Sequence, residues 1–410
     1  MKKLLIIGAG IGQVPLLRKA QQRGIHVTVA SIPGPYPCFQ LADDIIYTDI
    51  YDRNAVAGEA RRRGITAVVS DQNDLMMPTV AYVAEKLGLP GNTFDTVMTY
   101  CDKNSFRELC DRTGVPGPRH ARIQTAGDVV FDAPLPWMVK PADSQSSIGV
   151  KKVDTKEQAM TAVREALEKS PTHSAIVEEY ISGKEIVCEG LISEGRYYPL
   201  LLGDRRYFDL PDVMIPSQTL FPSTLSKALQ ERIVGYEQQL TAATRPAFAI
   251  VHSEYLVNEA TGDIHIVESA LRGGGVYISS DLVPMATGLD VTDFLLDKAL
   301  GLNPDVESML ARRTDRAAAY VCFYLPEGVL KSVTGVGELK AFPFVKEAFL
   351  DELTIGVRTA KPTYKGARKG PVLVAGKDRE ELERNIHAVQ DTLKVEVSDG
   401  TGITKSIVWK

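Results

Sequence analysis

AFAIVHSEYLVNEATGDIHIVESALRGGG, residues 247–275, holds two apolar runs on either side of Glu259-Ala260-Thr261-Gly262, a turn with glycine where a positive φ is wanted. The runs predict two antiparallel strands, 247–258 and 263–269. With pairing symmetric about Thr261, Glu254 stands seven residues before it and Glu268 seven after, so the two face each other. Opposed side chains in such a pair have Cβ atoms about 4.5–5.5 Å apart and point the same way, so two carboxylates there repel. Flanked by Phe248-Ala249-Ile250-Val251 and by Ile264 to Val267, they are poorly placed for full solvation. A hard divalent cation with oxygen ligands is the simplest remedy. A register slip that turns one Glu outward, or a proton shared between them, are the competing readings.

Arg272 follows Glu268 by four and precedes Gly273-Gly274-Gly275. A guanidinium beside a metal site, on a backbone open to close approach, suits a transferring phosphoryl group or an acyl phosphate; otherwise it caps a loop. His252 and His265 lie on the same hairpin without HExxH spacing, so zinc is not indicated.

Upstream, Trp137-Met138-Val139-Lys140-Pro141 ends an apolar strand on a lysine, followed by the small and polar run Ala142 to Gly149. A lysine on a rigid strand beside a loop rich in hydroxyls and N–H groups makes an anion clamp for phosphate, or an ordinary exposed lysine before a loop. Ala175-Ile176-Val177 runs into Glu178 and Glu179, with Gly183 and Glu185 beyond. Such a strand end offers backbone groups to a purine and a carboxylate to ribose hydroxyls, although solvated Glu at strand ends is common. Further strands are predicted at 136–140, 175–180, 185–192 and 198–202, then a polar, proline-rich stretch at 203–224 and a helix at 225–243. This region is α+β, and a last unit starts near Ala317 with a strand at 320–324 and a helix at 378–393.

Residues 3 to 120 alternate short apolar runs (3–7, 27–30, 45–47, 67–70) with amphipathic stretches (13–23, 52–63, 74–87), the pattern of a parallel sheet with crossover helices. Gly8-Ala9-Gly10-Ile11-Gly12 sits between the first strand and a helix, where a phosphate can be held. Gln13 and Ser31 stand where a dinucleotide fingerprint wants Gly or Ala and an acidic residue, so tight strand-to-helix packing is favoured over NAD binding. The breaker cluster Gly114-Val115-Pro116-Gly117-Pro118 marks the boundary to the next unit.

The 410 residues allow two to four domains, each with its own core. Against 47 Lys+Arg stand 52 Asp+Glu, a formal charge of −5 with no dense basic face, which argues against nucleic acid as a partner. The five cysteines are widely spaced without CxxC, so a reducing cytoplasm is expected. No apolar stretch approaches the roughly 20 residues of a membrane span.

Taken in order, Lys103, Val139-Lys140-Pro141, the Ser-rich loop 143–149, Glu178-Glu179-Tyr180-Ile181 with Glu185, then Glu254 and Glu268 with Arg272, resemble the ATP-grasp superfamily. Within it the chain is similar to carboxylate-amine ligases such as bacterial L-amino-acid ligases, and more distantly to D-alanine–D-alanine ligase and biotin carboxylase. The resemblance implies α/β and α+β units: an N-terminal parallel α/β domain (1–112), an ATP-grasp domain (113–310, with a nucleotide-binding part at about 117–200) and a small C-terminal α+β domain (311–410). It implies ATP phosphates on Lys103 and Lys140, a loop with Ser144, Ser146, Ser147 and Gly149 closing on the γ-phosphate, and adenine at Glu178, Glu179, Tyr180 and Ile181 with ribose on Glu185. It also implies Mg²⁺ or Mn²⁺ on Glu254 and Glu268, and Arg272 steadying an acyl phosphate, with Lys140 sharing the catalytic role. The implied activity is an ADP-forming ligase acting on a small carboxylate and an amine, in the cytoplasm, with no membrane partner; the apolar, short-looped N-terminal unit adds the expectation of a homodimer. A bicarbonate- or formate-using relative, or a nucleotide-binding module without turnover, are the alternatives. Many members have Asn two residues past the second metal-binding Glu; Ala270 stands there, leaving one of two metal ions short of a protein ligand.

Overall fold

The structure, a computed structural model, describes residues 2–127, 131–144, 148–210, 215–275, 277–360, 368–401 and 404–409; Ser146 and Ser147 lie outside these. In the N-terminal unit β1 (Lys3–Ile7), α1 (Val14–Gln22), β2 (His26–Ser31), β3 (Asp44–Tyr47), α2 (Arg53–Arg63), β4 (Ala67–Val69) and α3 (Met77–Leu87) form a parallel sheet in the order β3-β2-β1-β4. Leu4 and Ile6 pack to one side with α1, Leu5 and Ile7 to the other with α2 and α3. Burial on both faces is why β1 reads as an unbroken apolar run. Gly64 and Gly88 end α2 and α3 in the left-handed conformation.

Two helices, α4 (Phe94–Cys101) and α5 (Lys103–Thr113), lead out of this unit. Asp102 between them caps α5 by accepting a hydrogen bond from the Ser105 N–H at 2.8 Å. That cap sets Lys103 at the first helical position and Arg107 one turn on. The next unit holds β5 (His120–Ile123), β6 (Trp137–Pro141), β7 (Lys151–Val153), α6 (Lys156–Lys169) and β8 (Ala175–Glu179). Its antiparallel sheet runs β5-β8-β6-β7, with Ala159, Val163 and Ala166 of α6 packed on Val139 and Val177.

After these come β9 (Lys184–Ser193), β10 (Arg196–Tyr207), β11 (Pro216–Phe221), α7 (Lys227–Thr244), β12 (Phe248–Asn258), β13 (Asp263–Ala270), α8 (Val283–Thr287), α9 (Val291–Ala299), α10 (Val306–Leu310) and β14 (Ala317–Phe323). The chain finishes with β15 (Gly328–Thr334), α11 (Val336–Ala341), β16 (Val345–Ala348), β17 (Arg358–Thr359), β18 (Lys369–Gly376), α12 (Arg379–Thr392), β19 (Lys394–Ser398) and β20 (Thr404–Ser406). An eight-stranded antiparallel sheet runs β13-β12-β9-β10-β11-β14-β18-β16, so C-terminal strands extend the sheet begun in mid-chain; a smaller sheet runs β17-β15-β19-β20. Ile233 and Leu240 of α7 cover one face of the large sheet, and Val283 and Leu295 of α8 and α9 the other.

Part of the stretch read as a polar connection is strand. β10 continues through Tyr207, and every residue of β11 is buried. Ser217, Gln218 and Thr219 sit in a strand covered on both faces, where apolar periodicity gives no signal. All five cysteines are free, and no described helix is long and apolar enough to cross a membrane.

Candidate active site

Next to the turn, Asn258 pairs with Asp263 and Val257 with Ile264, one step away from symmetry about Thr261. That register alone would set Glu254 against Val267. A bulge at Val267 takes up one residue, and beyond it Glu254 pairs with Glu268 and His252 with Ala270. The pairing read from the sequence is therefore present, produced by two offsets that cancel. Both carboxylates line one cavity of about 610 Å³, together with Lys103, Ser144, Arg272 and, from the N-terminal unit, Asp74.

Charge around the pair is compensated unevenly. Arg205 of β10 contacts Glu254 and donates from Nη1 to Glu185 at 2.8 Å, and Tyr207 donates to the same Glu185. His252 Nδ1 meets the buried Glu189, and Nε2 lies 3.4 Å from Glu254. Burial opposes charge on His252, but Glu189 outweighs it and pushes the imidazole up to about 9. Glu268 makes no hydrogen bond or ion pair among the described residues. No group of three or more His, Cys, Asp or Glu among the described residues is placed to hold a metal ion. Two carboxylates are nonetheless what Mg²⁺ uses when phosphate oxygens and water complete its shell, so the donor set fits that ion.

Lys103 donates from its backbone to Ala142 O at 2.9 Å and from Nζ to Ser144 O at 2.6 Å, which ties α5 to the start of the loop after β6. Burial lowers its pKa, against the pull of Glu268. Met138 pairs with Glu178 and Lys140 with Ile176, so Lys140 and Glu178 are diagonal neighbours on one face, with Nζ 2.5 Å from Oε2. Arg107 Nε holds the other oxygen at 2.7 Å. Burial would raise the Glu178 pKa, but Arg107 and Lys140 hold it down to about 2. Glu179 accepts from the Arg119 N–H and from its guanidinium, the Tyr180 N–H donates to Pro136 O, and Tyr180 lies under Lys152 Nζ at 4.5 Å. Ile181 is half-buried just beyond, and Gly149 packs against Pro141.

Arg272 is gripped by a residue that sequence reasoning missed: Asp74 takes Nε at 3.0 Å and Nη2 at 2.7 Å. Arg205, His252, Glu189 and Arg107 were likewise not singled out for this site; for His252 and Glu189 a polar residue in a predicted strand interior was the available signal, whereas Arg205 falls in the stretch read as a polar connection and Arg107 on α5. At the glycine turn, Gln13 Oε1 accepts the Gly10 N–H at 3.0 Å, and Gln13 Nε2 donates to Asp71 O at 2.7 Å. The side chain of Gln13 thus occupies the donor that a dinucleotide phosphate would need.

A parallel α/β unit, a small antiparallel unit with a lysine-bearing strand and a large sheet bearing paired acids around one cleft define the ATP-grasp fold. Residues 118–204 match the D-ala D-ala ligase C-terminus model, and residues 321–398 match L-amino acid ligase C-terminal domain 2. It is similar to the crystal structure of L-amino acid ligase from Bacillus licheniformis, with a TM-score of 0.82 and 22% identity over 97% of this chain and 99% of that one. It is 27% identical over 259 residues to alanine–anticapsin ligase of Bacillus subtilis, covering 56% of this chain and 53% of the relative. It is also 32% identical over 168 residues to D-alanine–D-alanine ligase of Cupriavidus metallidurans, covering 38% and 50%. The chain spans about half the length of the curated relatives it matches.

Proposed function

We propose that the protein is an ADP-forming ligase joining a small carboxylate to an amine, amino acids or molecules like them. One observation carries this most: Glu254 and Glu268, the pair suited to a metal, share a cavity with Lys103 and Arg272, cations suited to phosphate oxygens. The acid's oxygen attacks the γ-phosphorus of ATP and the bond to ADP breaks, giving an acyl phosphate. The amine nitrogen then attacks the acyl carbon, phosphate leaves, and the nitrogen gives up a proton to solvent. No nucleophilic side chain is needed, so this chain's share is placement and charge.

Lys103 and Lys140 are assigned to the ATP phosphates, with Ser144 and Gly149 in the loop above them. Glu178 is committed to Lys140 and Arg107, so its part is to aim Lys140, while adenine is assigned to the strand end at Glu179 to Ile181 and ribose to Glu185. When bound, Mg²⁺ on Glu254 and Glu268 would neutralise charge on the phosphoryl oxygens. Arg272 stabilises the oxyanion of the acyl phosphate step. The test is ADP release from ATP and Mg²⁺ across a matrix of acids and amines. At least one pair should stimulate release over ATP alone and yield stoichiometric condensed product; tight ATP binding with no pair stimulating release contradicts the assignment.

A further inference from the structure

The N-terminal sheet reverses its winding between β1 and β4. In open parallel sheets the crevice beyond the carboxyl ends at such a point is the usual ligand site. Here side chains and a distant loop fill it. Gln13 bridges the turn after β1 to Asp71 at the end of β4. Asp71 then reaches the glycine loop: Oδ1 accepts the Gly273 N–H at 2.7 Å and Oδ2 the Ser279 hydroxyl at 2.9 Å, with Asp71 itself 2% exposed. Three residues on, Asp74 grips Arg272 side-on. The loop has no slack, since a Cβ on Gly273 would lie 2.3 Å from Ser279 Cβ, and one on Gly274 would lie 2.9 Å from Glu189 Oε1.

We infer that Asp74 and Asp71 are positioning residues for Arg272, Asp74 fixing the plane of its guanidinium and Asp71 the backbone from which it springs. This rests on the ligase reading above. A guanidinium has five N–H donors. Asp74 takes two and the Gly273 carbonyl a third, at 3.0 Å from Nη1, which leaves two for an oxyanion. A bidentate carboxylate fixes orientation as well as charge, and Arg272 itself lines the cavity. The N-terminal unit thereby contributes to turnover through a carboxylate that need not touch substrate.

The experiment compares full-length wild type with Asp74→Asn, Asp71→Asn and Arg272→Lys. With an acid and amine pair that supports turnover, Asp74→Asn should lower kcat about 10–100-fold, leave the ATP KM within about twofold, and add little to Arg272→Lys, because misplacing a catalytic group by about 1 Å costs up to about 100-fold. Asp71→Asn, which keeps one acceptor, should show the same pattern at about 3–10-fold. A loss of melting temperature with kcat unchanged, or equal losses in kcat and ATP affinity, overturns the inference. If no pair supports turnover, the ligase reading fails, and arginine-labelled NMR decides separately. The Arg272 Nε–H, assigned by its loss in Arg272→Lys, should exchange slowly in wild type and rapidly in Asp74→Asn. Equal exchange in both overturns the positioning role.

Discussion

Replacing Glu178 by Gln isolates the buried trio that aims Lys140. The carboxylate side chain is 2% exposed, 2.7 Å from Arg107 Nε and 2.5 Å from Lys140 Nζ. Its pKa of about 2, against 4.5 for an ordinary Glu, is worth about 3 kcal/mol at 1.36 kcal/mol per unit. Because the folded value is depressed, this stabilisation is complete above pH 4.5 and is lost as pH falls toward 2. Gln keeps the shape but leaves two buried cations facing each other, and breaking a buried ion pair in this way costs about 3–5 kcal/mol. For a domain of roughly 150–250 residues that lowers the melting temperature by about 6–20 °C. Scanning calorimetry of both proteins between pH 3 and pH 8 measures it. The gap should be full at pH 7 and shrink as pH drops below 4.5. A gap under about 2 °C at pH 7, or one that is flat across the range, refutes this account of the trio.

Lys140→Met should raise the ATP KM by about tenfold or more while destabilising the fold less than Glu178→Gln, since Arg107 still pairs with Glu178; an unchanged KM in an ATP titration removes Lys140 from the nucleotide site. Glu237 is a buried residue of α7 and accepts from the Tyr255 hydroxyl at 2.5 Å, and burial pushes its carboxyl up to about 7. Its raised folded value means stability is present at low pH and lost as pH rises from 4.5 through 7. Glu237→Gln should therefore raise the melting temperature at pH 8 and not at pH 4.5, and a variant less stable at pH 8 contradicts it. Because Gln13 occupies the Gly10 N–H, NADH and NADPH should show no saturable fluorescence change with the wild-type protein; saturation in either titration reverses that reading.

The parallel N-terminal unit was legible because strands buried on both faces are unbroken apolar runs, and β1 is one. The acid pair was legible through the hairpin, though the turn register alone would have misplaced Glu254; the bulge at Val267 that corrects it leaves no mark in composition. Arg205 was hidden because it lies where β10 continues into a stretch that reads as loop, and β11 is buried while carrying Ser, Gln and Thr. Asp74 and Asp71 lie 198 and 202 residues from their partners. Nothing local distinguishes them from solvated aspartates at a strand end, and only the packing of the N-terminal unit against the glycine loop brings them to Arg272.

The most direct test of the paired-acid site is the binding of Mn²⁺, followed by electron paramagnetic resonance, in the presence of a non-hydrolysable ATP analogue. Wild type should hold the ion with the nucleotide, and Glu254→Gln and Glu268→Gln should each weaken Mn²⁺ at least about tenfold without unfolding the protein. Mn²⁺ held as tightly by both variants as by wild type contradicts a cation gripped between β12 and β13.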